Sequence, residues 1–264
     1  MGKTIGVISL KGGVGKTSVV TALGDAISDF GKKVLLIDAN LSAPNLGMHL
    51  NLIEPEITLH HVLSRKAKIK DSIYHFDNFD VVPSSIFNSV EVNPFLLKDK
   101  IKHLKKKYDM VLIDSSPSLG EETLAVMLAS DGLLVVTTPD YPTLSTTLKA
   151  VKLAKQRGNN INGLVLNKVH NKNFELSIED IEKTAGVPVM AVIPHDVGVL
   201  KSLSEFKPFT ASKPKSEASI EYRKLGATLI GEKYKPLRFK DLFRKGPKRQ
   251  EVNREIFYNR VFED

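Results

Sequence analysis

No cysteine occurs among the 264 residues of this chain. That absence excludes a disulfide framework, a thiolate-held zinc and a cysteine-ligated iron–sulfur cluster. No apolar run approaches the roughly 18–20 residues that a bilayer-spanning helix needs. The first residues run straight into an apolar stretch at Ile5 without the tripartite design of a secretory signal, so a cytoplasmic location is expected. The G-x-G-x-x-G pattern of dinucleotide-binding folds is missing, which argues against nicotinamide and flavin. The seven histidines show no metal-ligand spacing. The adjacent pair His60-His61 would point in different directions on a helix, and both are expected at the surface. Two hydroxyl clusters, Ser115-Ser116 and the stretch 143–147, lack a paired His/Asp pattern and read as loop and helix-cap chemistry.

What is present starts with ordinary globular composition: 42% hydrophobic residues over a length that suits one large core. Short continuous apolar runs, such as Val34-Leu35-Leu36-Ile37 and Met110-Val111-Leu112-Ile113, read as parallel strands covered on both faces. Between them lie helical periodicities over 17–30, 94–107, 121–129, 144–157, 177–184 and 217–230. Further strands are expected at 3–9, 79–82, 133–137, 163–166 and 187–193. This alternation predicts an α/β fold, a doubly wound and mostly parallel sheet flanked by helices, with ligands at the strand C-terminal ends.

The stretch around which the chain is organised is KGGVGKTS, residues 11–18, directly after the first strand. Gly12, Gly13 and Gly15 can take positive φ and leave no Cβ in the way, so the backbone N–H groups of the turn converge on an anion. The following helix adds its unsatisfied N-terminal amides and the positive end of its dipole. Lys16 then reaches the β- and γ-phosphates, and the Thr17 hydroxyl serves magnesium. Gly12, Gly13, Val14, Gly15, Lys16, Thr17 and Ser18 are therefore the candidate phosphate cradle. A strict G-x-x-x-x-G-K-[ST] scan would miss it, because Leu10 stands where the first glycine belongs and an extra lysine, Lys11, follows.

The pattern KGGxGK[ST] resembles the deviant Walker A loop of the MinD/ParA family of P-loop ATPases. The resemblance runs in order through residues 1–230 and implies ATP and Mg2+ as cofactors and a homodimer formed on ATP binding. Lys11 is then the lysine that crosses to the partner's nucleotide. Asp114, at the end of a buried strand, matches the Walker B carboxylate and with Thr17 is expected around magnesium; the following Ser115-Ser116-Pro117 resembles switch II. Asp38 and Asn40 match switch I. Family members usually carry D-x-D there, and the second carboxylate positions the attacking water. Asn40 can orient a water but holds no negative charge, so slow hydrolysis is expected, with Asp38 in the magnesium shell. Asn167, after the strand 163–166, matches the base-recognition position, and Pro194 with Asp196 the loop along the base. The lack of cysteine separates the chain from the cluster-carrying branches of this family.

The net charge of +8 is uneven: residues 233–249 hold eight Lys/Arg against the single acid Asp241. The organisation expected is an ATPase domain over 1–232 and a basic amphipathic tail over 233–264. Drawn as a helix, the tail gathers Phe239, Leu242 and Phe243 within an arc of roughly 100°, flanked by Arg244 and Lys245. That is the design of an interfacial anchor for an anionic membrane surface, and it is similar to the membrane-targeting helix found in the family. Burial of each apolar anchor contributes about 1.5–3 kcal/mol at best and each basic residue about 1 kcal/mol. One copy binds weakly, and two copies on a dimer gain about 10²–10⁴ through effective concentration. The leading expectation is thus a peripheral membrane ATPase of the spatial-positioning, cell-division type, acting with an activating or cargo protein. Two alternatives stand beside it: a ParA-like ATPase whose basic segment holds DNA, and a non-hydrolysing scaffold. The stretch 252–262 is apolar enough to dock, either on the body or on a partner.

Overall fold

The computed structural model of the protein describes residues 2–87, 90–236 and 246–263. The expected anchor residues Phe239, Leu242, Phe243, Arg244 and Lys245 lie outside the described residues.

Eight strands form one sheet in the order β3-β4-β2-β5-β1-β6-β7-β8, parallel except where β3 meets β4. Four adjacent strands carry the phosphate site: β2 (Val34–Asp38), β5 (Met110–Asp114), β1 (Lys3–Ile8) and β6 (Gly132–Thr137). Strands β3 (Tyr74–His75) and β4 (Asp80–Val82) lie beyond β2, and β7 (Ile161–Val169) and β8 (Val189–Pro194) beyond β6. The chain leaves β1 toward one side, returns as β5, and then crosses β1 to build the other side. The reversal at β1 opens a crevice at the strand C-termini, which is where such sheets take ligands.

Every residue of β2, β5 and β6 is buried, as the unbroken apolar runs require. Successive side chains serve opposite faces. Leu35, Ile37, Val111 and Ile113 join one core, while Val34, Leu36, Met110 and Leu112 join the other. The first core is closed by α3 (Leu59–Leu63), α4 (Leu97–Ile101), α5 (Glu121–Ala129), α6 (Tyr141–Gln156) and α7 (Ile178–Ala185). The second is closed mainly by α1 (Lys16–Ser28) and α10 (Glu217–Ile230), with α2 (Leu46–His49) and α9 (Phe209–Ser212) contributing Leu46 and Phe209. Between β8 and α9 runs α8 (Gly198–Ser204).

Helices α5 and α10 have the extents the periodicity predicts. The predicted helix over 94–107 is instead broken into a 3₁₀ turn at Pro94–Leu96, the short α4, and a second 3₁₀ turn at Leu104–Lys106. Lys98, Lys102 and Lys106 recur at four-residue spacing, so a continuous helix would stack like charges along one side.

The C-terminal stretch docks on the body. Helix α11 (Arg249–Tyr258) lies along β8, and its Phe257 enters the second core. Asn253 Nδ2 donates to the Val189 carbonyl at 2.8 Å, and Arg254 Nη1 donates to the Met190 carbonyl at 2.7 Å and to Glu221 Oε1 at 2.8 Å. Arg254 and Glu221 are both buried, so removing either partner strands a charge at about 3–5 kcal/mol. Arg249 pairs with Glu182 at 2.8 Å and Lys224 with Glu251 at 2.8 Å.

His60 corrects the expectation of a surface histidine pair: it is 3% exposed, on the face of α3 that meets the core beside Leu59 and Val62. Only His61 turns outward, its ring nitrogen receiving the Thr58 N–H at 3.1 Å. Burial lowers the His60 pKa below its ordinary 6.5, and a hydrogen bond with the Leu41 backbone offsets only part of that. The unfolded chain takes up this proton near pH 6.5 and the folded one at lower pH, so stability falls as pH drops through 6.5. Urea midpoints measured from pH 7.5 to 5 for the wild type and His60→Gln isolate this contribution: the wild type should lose stability relative to the variant as pH falls.

Candidate functional site

The turn between β1 and α1 is shaped by its glycines. Gly13 and Gly15 have φ of 77° and 87°, in the left-handed region; Gly12 is not among the residues with positive φ. Gly15 also occupies the N-cap of α1, and a Cβ there would sit 2.4 Å from Asn167 Nδ2. Asn167 uses that nitrogen to donate to the Val14 carbonyl at 2.7 Å. Lys168, itself left-handed at φ 57°, donates from Nζ to the Gly13 carbonyl at 2.7 Å. With the carbonyls of Gly13 and Val14 held from outside, the loop is braced with its amide side free for an anion.

Strand register brings the chemistry together. Asp114 is paired in register with Val7 on one side and with Asp38 on the other. Lys16 Nζ lies 2.9 Å from Asp114 Oδ1 and also donates to the Ser115 carbonyl. The Thr17 hydroxyl donates to Asp114 Oδ2 at 2.5 Å. Lys16, Asp38 and Asp114 are all buried. Asp38 accepts three backbone N–H bonds, from Asn40 at 3.1 Å, Asn45 at 3.1 Å and Leu46 at 3.0 Å. Even so its carboxyl is pushed up to about 7, by burial first and by the neighbouring Asp114 second.

That shift tests whether the residues fit a magnesium nucleotide. Two buried carboxylates face one buried ammonium, so the pocket is one positive charge short. As pH rises from the ordinary carboxylate range through 7, ionising Asp38 costs the empty fold stability, which a bound cation restores. Carboxylate and hydroxyl oxygens are the donors magnesium prefers. Among the described residues no three acidic or histidine side chains gather as a metal cluster. The shell is therefore only part protein, as in sites that magnesium completes with water and substrate phosphates. The residues fit the group.

Asn40 is 3% exposed; its amide nitrogen donates to the Ala43 carbonyl, while its amide oxygen is buried without a partner. An unpaired buried acceptor beside the phosphate loop costs free energy unless something donates to it.

Lys11 stands apart from Lys16. Its Nζ lies 2.6 Å from Thr143 Oγ1 and 3.4 Å from Asp140 Oδ1, at the start of α6. Burial pushes the Asp140 carboxyl up, but bonds from Thr138 and Thr143 and the charge of Lys11 outweigh it, leaving the pKa below the usual value. A cavity of about 330 Å³ opens here between Lys11, Gly12, Asp140, Lys168 and Phe174. Its surroundings carry exposed aromatics, Phe174 at 78% and Tyr141 at 74%. Asp140, Thr143 and Lys168 are site-region residues that the sequence reading did not single out. Thr143 fell in a hydroxyl cluster read as capping chemistry, and Asp140 is indeed the α6 N-cap.

The ends of β7 and β8 lie side by side, Val169 in register with Pro194, and the His170 and His195 rings stack at 4.4 Å. Asp196 is engaged by the Gly198 N–H at 2.7 Å and Lys213 Nζ at 3.0 Å, so its carboxylate fastens the loop into α8.

A parallel sheet reversing at β1, with a glycine loop, an adjacent lysine–hydroxyl pair and a buried carboxylate across from them, defines a P-loop nucleotide-binding protein. The AAA domain family matches residues 2–164. An uncharacterised ATP-binding protein of Methanocaldococcus jannaschii is 35% identical over 239 residues, covering 89% of this chain and 90% of that one. The septum site-determining protein MinD of Bacillus subtilis is 27% identical, with 88% and 90% covered. Among solved structures, Pyrococcus horikoshii MinD complexed with Mg-ADP superposes with TM-score 0.81 at 33% identity, covering 87% of this chain and 96% of that one. The chain belongs to the MinD/ParA family of P-loop ATPases, and ATP and Mg2+ are its cofactors.

Gly15→Ala should combine left-handed strain of about 1–3 kcal/mol with loss of the Asn167–Val14 bond. Melting of the apo protein should fall by several degrees, and Mg-ADP should recover less of the difference than it adds to the wild type.

Proposed function

We propose that the protein is a nucleotide-dependent switch: ATP closes a homodimer, the dimer associates with an anionic membrane surface through residues 237–245, and slow hydrolysis releases it. The observation that carries this reading is the placement of its two lysines. Lys16 is buried against Asp114, whereas Lys11 is half exposed at the rim among exposed aromatics. A lysine at the rim serves a phosphate outside its own loop, and large exposed aromatics beside it suit a face that a second protomer covers.

In the proposed mechanism, the loop amides of residues 12–18 and the Lys16 ammonium bind the β- and γ-phosphates. Thr17, Asp38 and Asp114 hold Mg2+, which when bound neutralises phosphate charge during phosphoryl transfer. Asn167 braces the loop with its amide nitrogen and keeps its amide oxygen for the exocyclic amine of adenine. Pro194 packs along the base, and Asp196 keeps that loop fixed. Lys11 exchanges Thr143 and Asp140 for the partner's nucleotide, which couples nucleotide state to pairing. Asn40 orients the attacking water through its unpaired oxygen. An amide takes no proton from that water, and positioning alone gives a slow step. The apolar face of Phe239, Leu242 and Phe243, with Arg244 and Lys245, supplies the anchor, and effective concentration makes two anchors hold where one does not. The cargo or activating protein is a further partner of this dimer.

Sedimentation with vesicles containing anionic lipid tests the reading. Wild type with ATP should pellet and with ADP should not. Lys11→Ala should bind Mg-ADP normally yet fail to dimerise or pellet with ATP, and Phe239→Glu/Phe243→Glu should dimerise without pelleting. Equal pelleting in all four samples overturns the membrane reading; ATP-dependent DNA retention that weakens steeply with salt would replace it with the partition type.

Asn40→Asp should speed phosphate release, by about tenfold or more if general-base help is restored. It should also lower the melting temperature, because a carboxylate then faces the Ala43 carbonyl and stands close to Asp38.

A further inference from the structure

A cavity of about 540 Å³ lies at the end of the sheet opposite the phosphate loop, lined by Lys3, Lys32, Lys105, Lys106, Lys107 and Phe262 among others. It opens where β1 and β5 begin, Lys3 being in register with Met110. Six residues of β1 at about 3.3 Å each put roughly 20 Å between it and the nucleotide loop. The two sites are separate.

Five ammonium groups surround this one concavity, and their pairing is incomplete. Lys105 lies 2.5 Å from Asp131, and Lys32 lies 3.1 Å from Glu232. Among the described residues no carboxylate oxygen comes within 4 Å of the Lys3, Lys106 or Lys107 ammonium. Among the described residues, the Lys3 ammonium lies 4.1 Å from the Phe262 ring centroid and the Lys107 ammonium 5.2 Å from that of Tyr108. Asp109, the one acid in the lining, spends an oxygen on the Lys33 N–H at 2.8 Å. Partial burial also lowers the Lys3 pKa, with the charge of Asp131 offsetting part of it. Like charges gathered without partners repel, and an anion bound among them is stabilised. One wall is apolar, made by Leu229, Ile230 and Phe262.

We propose that this cavity is a second, nucleotide-independent site that binds a phosphate group, with Lys3, Lys106 and Lys107 donating to its oxygens. A compact dianionic phosphate accepts several ammonium donors at once, and the volume leaves room for the group that carries it. The phosphate comes either from a free phosphorylated molecule or from a lipid headgroup. The second source rests on the membrane reading above. It draws on the cavity's position: Glu232 pairs with its Lys32, and Lys233, four residues before the stretch 237–245 in the sequence, pairs with Glu263 beside its Phe262.

The test uses full-length protein with the nucleotide loop saturated by Mg-ADP. Inorganic pyrophosphate is titrated calorimetrically against wild type, Lys106→Glu, and the triple variant Lys3→Gln/Lys106→Gln/Lys107→Gln. One saturable site in the wild type is expected, weakened at least tenfold in the triple variant and severalfold in Lys106→Glu, with Mg-ADP affinity unchanged in all three. No saturable pyrophosphate site, or equal affinity in all three proteins, overturns the proposal. A second arm compares vesicles of phosphatidylcholine alone with vesicles containing phosphatidic acid, in ATP. If the triple variant pellets less than wild type on phosphatidic acid, the source is the headgroup; if both pellet equally while pyrophosphate binding differs, the source is a free phosphate. Failure of every protein to pellet would count against the membrane reading alone, because the pyrophosphate arm does not depend on it.

Discussion

The interaction on which the rest depends is the contact of Lys16 with Asp114, made possible by two neighbouring strands that end at the same height. Asp38 is in register with Asp114 on the next strand, so two carboxylates are buried side by side with one ammonium between them and water. A sheet that merely wanted stability would not place them so. The imbalance is tolerable because three backbone N–H groups solvate Asp38 and because the bound cofactors bring the missing positive charge. The fold is thus built to be incomplete at one end of its sheet, and the cofactors complete it.

The parts of this arrangement that were legible in the sequence were those whose residue types have few alternative uses. A glycine loop after an apolar strand, followed by Lys16 and Thr17, has a single common meaning, and fully buried strands announce themselves as continuous apolar runs. Asp114 was legible because an acid closing such a run is costly to bury unless a cation or donor meets it. The structure then placed these residues together as expected. Less legible were residues whose role depends on what stands opposite. Asp140 and Lys168 look like ordinary loop and turn residues until the fold sets them against Lys11 and Gly13. His60 read as surface because a charged-type side chain on a five-residue helix gives no periodicity long enough to mark the inner face.

Averages also hid something. With the basic tail set aside the body is nearly neutral, yet five lysines gather around one cavity at the end of the sheet away from the phosphate loop. The signal was visible in residues 98–107, which hold six lysines against one aspartate. The same repulsion breaks the helix expected there and leaves unpaired ammonium groups around the cavity beneath β1.

The docking of α11 on β8 has a consequence for how copies of this protein can meet. An outermost strand offers its unused carbonyls and amides to any passing chain, and sheets extend or aggregate by that route. Here Asn253 and Arg254 occupy the Val189 and Met190 carbonyls, so that margin is already sealed by the chain's own helix. The opposite margin, β3, is two residues long and runs antiparallel to its neighbour, too short to template an addition. Lateral zippering into a continuous ribbon is closed off on both flanks. Among the described residues, then, neither margin of the sheet invites strand-to-strand addition between copies.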